Sequence, residues 1–119
     1  MPGTQALPAL FQKDLDQLRA GDVDGMLSNY HPEAQIMRLP DTVARGRSEV
    51  RAFLEGYVAL RPRIVEVLAI EEADDSVLYH STIEIGGNTL AIVGTWVLRD
   101  GLIWRQTAAL VPAGSLNLG

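Results

Sequence analysis

"LRAGDVDGMLSNYHPEAQI", residues 18–36, is the stretch on which the fold turns. Upstream of it, Leu7, Leu10, Phe11, Leu15 and Leu18 recur at helical spacing, so residues 7–20 read as an amphipathic helix. Pro8 suits its first turn. Gly21 ends it, and Asp22 offers a side-chain cap to a second, short helix from 23 to about 30. Val23, Met26, Leu27 and Tyr30 form the apolar side of that helix. "HPEA" then breaks the pattern, and residues 34–39 alternate as a strand.

Working outward, "PDTVARG" (40–46) reads as a loop. Ser48 is placed to cap a third helix, with Val50, Phe53, Leu54 and Tyr57 on one side and Pro62 at its end. The texture then changes. Residues 64–72, 76–85, 89–99 and 102–111 are rich in Val, Ile, Leu, Thr, Tyr and Trp, and "ADD", "GGN" and "RDG" punctuate them as turns. Helices followed by a strand meander predict an α+β fold. In it, three N-terminal helices pack on a curved, mainly antiparallel sheet and enclose a pocket, a cystatin-like architecture. One domain over 1–119, with a core of about 7–111, is expected from the length.

Composition narrows the function. The chain has 119 residues, 47% hydrophobic and 21% charged, with a net charge of −5. An acidic balance argues against a nucleic-acid partner, which calls for a basic surface. There is no cysteine, so thiolate nucleophiles, disulfides and cysteine metal sites are excluded. His31 and His80 have no metal-ligand spacing, and no cofactor fingerprint is present, so neither metal nor cofactor is expected. No signal peptide and no membrane span is read from the sequence, and a cytoplasmic location is expected.

Three segments carry a family resemblance: "LRAGDVDGMLSNYHPEAQI" (18–36), "RGRSEVRAFL" (45–54) and "LRDGLI" (98–103). In order and at suitable spacing, they resemble the helix–GD–helix–strand entry, the G-x-x-x-(I/V)-R-x-F helix and the last hairpin of the ketosteroid isomerase and SnoaL-like group. That group belongs to the nuclear-transport-factor-two superfamily. The resemblance spans about residues 7–111 and implies the fold more than any chemistry. Steroid isomerisation needs a carboxylate base, a tyrosine and a protonated aspartic acid. The resemblance places Arg38, Asp14 and Gly94 at those positions, and no acid occurs from Thr89 to Leu98. It therefore implies that this chain is not a steroid isomerase.

The candidate site residues follow from parity and spacing. Ile36 and Arg38 share a strand face, so Arg38 is either a pocket cation awaiting an anion or a strand-end residue reaching water. Asp14 lies at the edge of the first helix's apolar stripe. It is either polar flank, the stronger reading, or a pocket-mouth acid paired with Arg38 and lowered in pKa by it. Tyr30 and Tyr57 fall on helix faces that should cover the sheet, as core aromatics whose hydroxyls can still meet a ligand. Tyr79 and Ser81 share one strand face, which the resemblance turns inward, while His80 lies on the other. The resemblance also aims Trp104 and Gln106 into the pocket, and Trp96 supplies bulk.

Two readings of function stay open at this level. One is a SnoaL-like small-molecule pocket protein, including a cofactor-independent isomerase, cyclase or hydrolase acting on a small apolar ligand with a carbonyl or acidic group. The alternative is a non-catalytic ligand-binding or dimerisation domain. A homodimer through the outer sheet face is expected under both.

Overall fold

A computed structural model describes residues 7–112. Three helices, α1 (Ala9–Ala20), α2 (Val23–Leu27) and α3 (Gly46–Ala59), accompany six strands. The strands are β1 (Tyr30–Arg38), β2 (Thr42–Arg45), β3 (Arg63–Glu72), β4 (Ser76–Ile85), β5 (Asn88–Arg99) and β6 (Leu102–Pro112). They form one sheet in the order β2-β1-β6-β5-β4-β3, which gives an α+β fold with a mixed sheet.

The α1–α2 junction is closed by its backbone. Gly21 adopts a left-handed conformation (φ 67°), and the Asp22 side chain accepts the Gly25 N–H at 2.9 Å. The second helix is shorter than expected, because Tyr30 already pairs with β6. Two further expectations need correction. Residues 42–45 are not loop but an edge strand, antiparallel to β1. The helix α3 is not capped by Ser48: it starts at Gly46, and Glu49 instead accepts the Arg45 N–H at 2.8 Å. At its far end Arg61, with φ 52°, turns the chain into Pro62.

The meander β3–β4–β5–β6 is antiparallel throughout. The first strand joins it in parallel on β6, with Ile36 opposite Gln106 and Arg38 opposite Ala108. Bulges in β3, between Ile64 and Glu66 and between Val67 and Ala69, reset its parity. Ile64, Val67 and Ile70 consequently pack with the core, while Leu68 stands exposed. The core joins Phe11, Leu15 and Leu18 of α1 and Val50 and Leu54 of α3 to Ile36, Ile83, Trp96 and Ile103 of the sheet. Met37, Leu78 and Val93 point away from that core and are about half exposed.

Phe11 anchors α1. Its ring centroid lies 5.1 Å from Tyr79 and 5.3 Å from Trp96, both tilted contacts. Tyr79 in turn lies over its cross-strand partner Gly94, where a Cβ would collide with the ring and hydroxyl. The ring is boxed in by Phe11 and Trp96 and has little room to yield. Gly94→Ala should therefore destabilise the protein by about 1–3 kcal/mol, the usual cost of overpacking, read as a lowered urea midpoint at unchanged slope.

Candidate functional site

A cavity of about 60 Å³ lies between the helices and the sheet, lined by residues from α1, α2, α3 and strands β1 and β3–β6. Its walls are mainly apolar: Phe11, Leu15, Leu18, Met26, Phe53, Leu54, Ile64, Ile92, Ala108 and Leu110. Into them project Asp14, Tyr30, Arg38, Tyr57, Tyr79, Ser81, Trp96 and Gln106. A second, wider recess of about 460 Å³ runs between β2 and α3. Arg38, Phe53 and Tyr57 line both spaces and so stand at their junction.

Arg38 reaches the junction because Ile36 and Arg38 share the inward parity of β1. Its guanidinium lies 4.8 Å from the centroid of the Phe53 ring. Among the described residues, no carboxylate stands within 4 Å of it. The pairing with Asp14, the weaker of the two readings of that residue, is absent.

Asp14 is nevertheless not simple polar flank, since it lines the cavity. Burial pushes its carboxyl up to about 6, against the smaller opposing effect of a hydrogen bond from Asn29. The Asn29 amide donates to Asp14 Oδ1 at 3.3 Å and to Gln17 Oε1 at 2.7 Å. Asp14 thus has a neutral amide for its partner, and its pKa rises where pairing with Arg38 would have lowered it.

Three tyrosines share the cavity with Asp14. Tyr30 donates to Gln106 Oε1 at 2.5 Å, linking the start of β1 to β6. Burial, and next the nearby Asp14 charge, hold the Tyr30 hydroxyl well above its ordinary value. Tyr57 is pushed up to about 12, by burial first and Asp14 second, with Arg38 pulling the other way. Burial likewise raises Tyr79, with Tyr57 and Asp14 adding to it. All three hydroxyls stay protonated near neutral pH and can donate hydrogen bonds. Ser81 Oγ, fully buried on the cavity wall, has no hydrogen-bond partner among the described residues.

Trp104 is the exception among the expected pocket residues. A bulge in β6 sets Val97 opposite Arg105 and Leu98 opposite Ile103, which leaves Trp104 as the extra residue. Its ring is not part of the cavity wall. It packs instead against two guanidiniums, Arg105 at 3.8 Å and Arg99 at 5.1 Å. His31 lies within β1, with Nε2 3.8 Å from Asp100. His80 stays on the face away from the cavity, opposite Val93.

Asn29 and Gln17 escaped the sequence reading. Asn29 is 1% exposed although fully polar, and its Oδ1 has no partner among the described residues. The available signal was a lone amide between the apolar residues Met26, Leu27 and Tyr30, with Gln17 three residues after Asp14 on the preceding helix.

The signature of the SnoaL-like domain family matches residues 11–106. The chain belongs to the SnoaL-like family. No functionally curated protein matches it in sequence. Among solved structures it is similar to an NTF-2-like protein of unknown function from Burkholderia xenovorans, at TM-score 0.74 and 19% identity over 86% of this chain and 80% of that one. It also resembles SalBIII, an epoxide hydrolase/cyclase-like enzyme of pyran-ring formation in the polyether salinomycin, at TM-score 0.72 and 18% identity over 85% and 87% of the two chains. A cystatin-fold protein from Novosphingobium aromaticivorans gives TM-score 0.71 at 15% identity over 83% and 93%. At these identities the likeness is one of fold.

The raised Asp14 makes stability depend on pH. Its carboxyl titrates near 6 in the folded chain against 3.8 for an ordinary aspartate. The folded state holds the proton more tightly, so the protein loses stability as pH rises from about 4 through about 6. Asp14→Asn removes that loss. The variant should be more stable than wild type by about 1–3 kcal/mol at pH about 8, with the gain shrinking toward pH about 4, as measured by urea unfolding across that range.

Proposed function

We propose that this SnoaL-like protein binds a small, mostly apolar molecule bearing a carboxylate or other oxyanion, with Arg38 as its anchor. The observation that carries this reading is the placement of the Arg38 guanidinium. It lines both the inner cavity and the outer recess, with no carboxylate of the described residues within 4 Å. A half-buried cation left without an internal partner favours an external anion.

The dimensions support a division of the ligand. About 60 Å³ admits only a few atoms beyond Arg38, whereas the recess of about 460 Å³ accommodates a larger body. Tyr57 and Ser81 offer hydroxyls to the part that enters, and Gln106 offers its amide. In this reading the helices close the concave side of the sheet as a cone, and the chemistry is that of a cofactor-independent isomerase, cyclase or hydrolase. The pocket candidates are Arg38, Asp14, Tyr30, Tyr57, Tyr79, Ser81, Trp96 and Gln106.

A thermal-shift series of small carboxylates tests the anchor. A ligand at ten times its Kd contributes about 1.4 kcal/mol, a rise of several degrees in Tm. Carboxylates should raise the Tm of wild type and not that of Arg38→Ala, with the two apo proteins melting alike. An equal rise in both proteins, or no rise in either, refutes the anchor.

The exposed apolar side chains on the sheet's outer face favour a second role as a dimerisation surface. Met37, Leu78 and Val93 lie there on neighbouring ladder rows around Thr95 and Thr107. Sedimentation should show a dimer for wild type and a monomer for Leu78→Asp/Val93→Asp. A wild-type monomer, or a dimer that survives both charges, removes this role.

A further inference from the structure

The apolar cavity holds one carboxylate among the described residues, Asp14, and the anchoring role given to Arg38 does not use it. Asp14 is held by the Asn29 amide, which is itself fixed by Gln17. That arrangement orients Oδ1 without neutralising it, and Oδ2 accepts no hydrogen bond from the described residues. No cation of the described residues lies within 4 Å. A structural carboxylate is normally paired with a cation or several donors, because burying its charge otherwise costs free energy. Asp14 has neither, and it lines a space a ligand can enter.

Its surroundings suit proton transfer. The groups that face it are Tyr30, Tyr57 and Tyr79, all protonated, and Arg38 across the cavity. Lys13 and Asp16, its neighbours on α1, are exposed. Tyr57 lines the same cavity as both charged groups and feels each, raised by Asp14 and lowered by Arg38. A carboxyl titrating near 6 is mostly ionised at neutral pH yet far more basic than an ordinary aspartate, which suits a general base.

We propose that Asp14 is the proton-transfer residue of this pocket, acting on the carbon next to a carbonyl in a ligand whose anionic end is held by Arg38. This rests on the anchoring role of Arg38 given above. The step needs no oxidant or cofactor. The C–H bond α to the carbonyl breaks, its proton passes to the Asp14 carboxylate, and the electron pair moves onto the carbonyl oxygen. The Tyr57 and Tyr79 hydroxyls, whose protons are not committed to Gln106 as that of Tyr30 is, stabilise the resulting enolate. Return of a proton from Asp14 to the same or a conjugated carbon completes an exchange or an isomerisation. The substrate class is therefore a small enolisable keto acid, with the ketone in the narrow cavity and the carboxylate at the junction.

Levulinate and its uncharged counterpart, methyl propyl ketone, separate the two roles. Both are incubated in D₂O with the full chain, and loss of the α-proton signal is followed by NMR. Wild type should exchange levulinate roughly 100-fold or more faster than Asp14→Asn, in the range of general-base catalysis. The rate should rise with pH through about 6 and level above it. Asp14→Asn should keep the rise in Tm given by levulinate, which separates loss of chemistry from loss of binding. Arg38→Ala should lose the preference for levulinate while still exchanging the neutral ketone through Asp14. If wild type shows no preference between the ketones but exchange still needs Asp14, the anchor fails and the base stands. An Asp14→Asn variant as fast as wild type, or a wild type that exchanges neither ketone, overturns the proposal.

Discussion

The parallel pairing of β1 with β6 is the constraint on which the rest of the structure depends. The meander of β3 to β6 would end at β6 with an open edge. Covering that edge with β1 places Ile36 opposite Gln106 and Arg38 opposite Ala108, so the early strand and the last one share one inner wall. The Tyr30–Gln106 hydrogen bond spans the same seam. Parallel strands need a long crossover between them, and here most of the chain serves as that crossover. The cavity is what remains between the wall and the helices that precede and follow β1.

The cavity keeps a guanidinium and a carboxylate apart in apolar surroundings. Had Asp14 and Arg38 met, each would have satisfied the other and neither would be available to a ligand. Their separation lets Asp14 keep a proton to unusually high pH and leaves Arg38 against an aromatic ring. Folding bears the cost of two incompletely compensated charges, which is the kind of local inconsistency expected at functional sites.

Much of this was legible in the sequence. Helix spacing located α1 and α3, turn signals separated the long strands, and alternation grouped Ile36 with Arg38 and Tyr79 with Ser81, while the family resemblance turned Tyr79, Ser81 and Gln106 inward. Alternation fails wherever a bulge adds a residue. For this reason Trp104 leaves the cavity and Val67 joins Ile64 and Ile70 on the core side of β3. The edge strand Thr42–Arg45 was hidden because four residues flanked by Pro40 and Gly46 carry turn chemistry, and only the partner strand makes them extended. The relation of Asp14 to Arg38 was illegible for a different reason. It depends on where Asn29 and Gln17 settle in three dimensions, which periodicity does not encode.

The contact between Tyr79 and Gly94 limits the paths open to this chain in evolution. By family resemblance, position 94 is where a steroid isomerase keeps its protonated acid. Here the space above that backbone is filled from the neighbouring strand by a ring that also receives α1 through Phe11. An acid could enter at 94 only after Tyr79 had shrunk, and Tyr79 could shrink only by loosening the first helix. The two positions are mutually epistatic, each holding the other at its present residue. Installing an acid there would require passing through a poorly folded intermediate, so single substitutions leave the protein confined to other uses of its pocket.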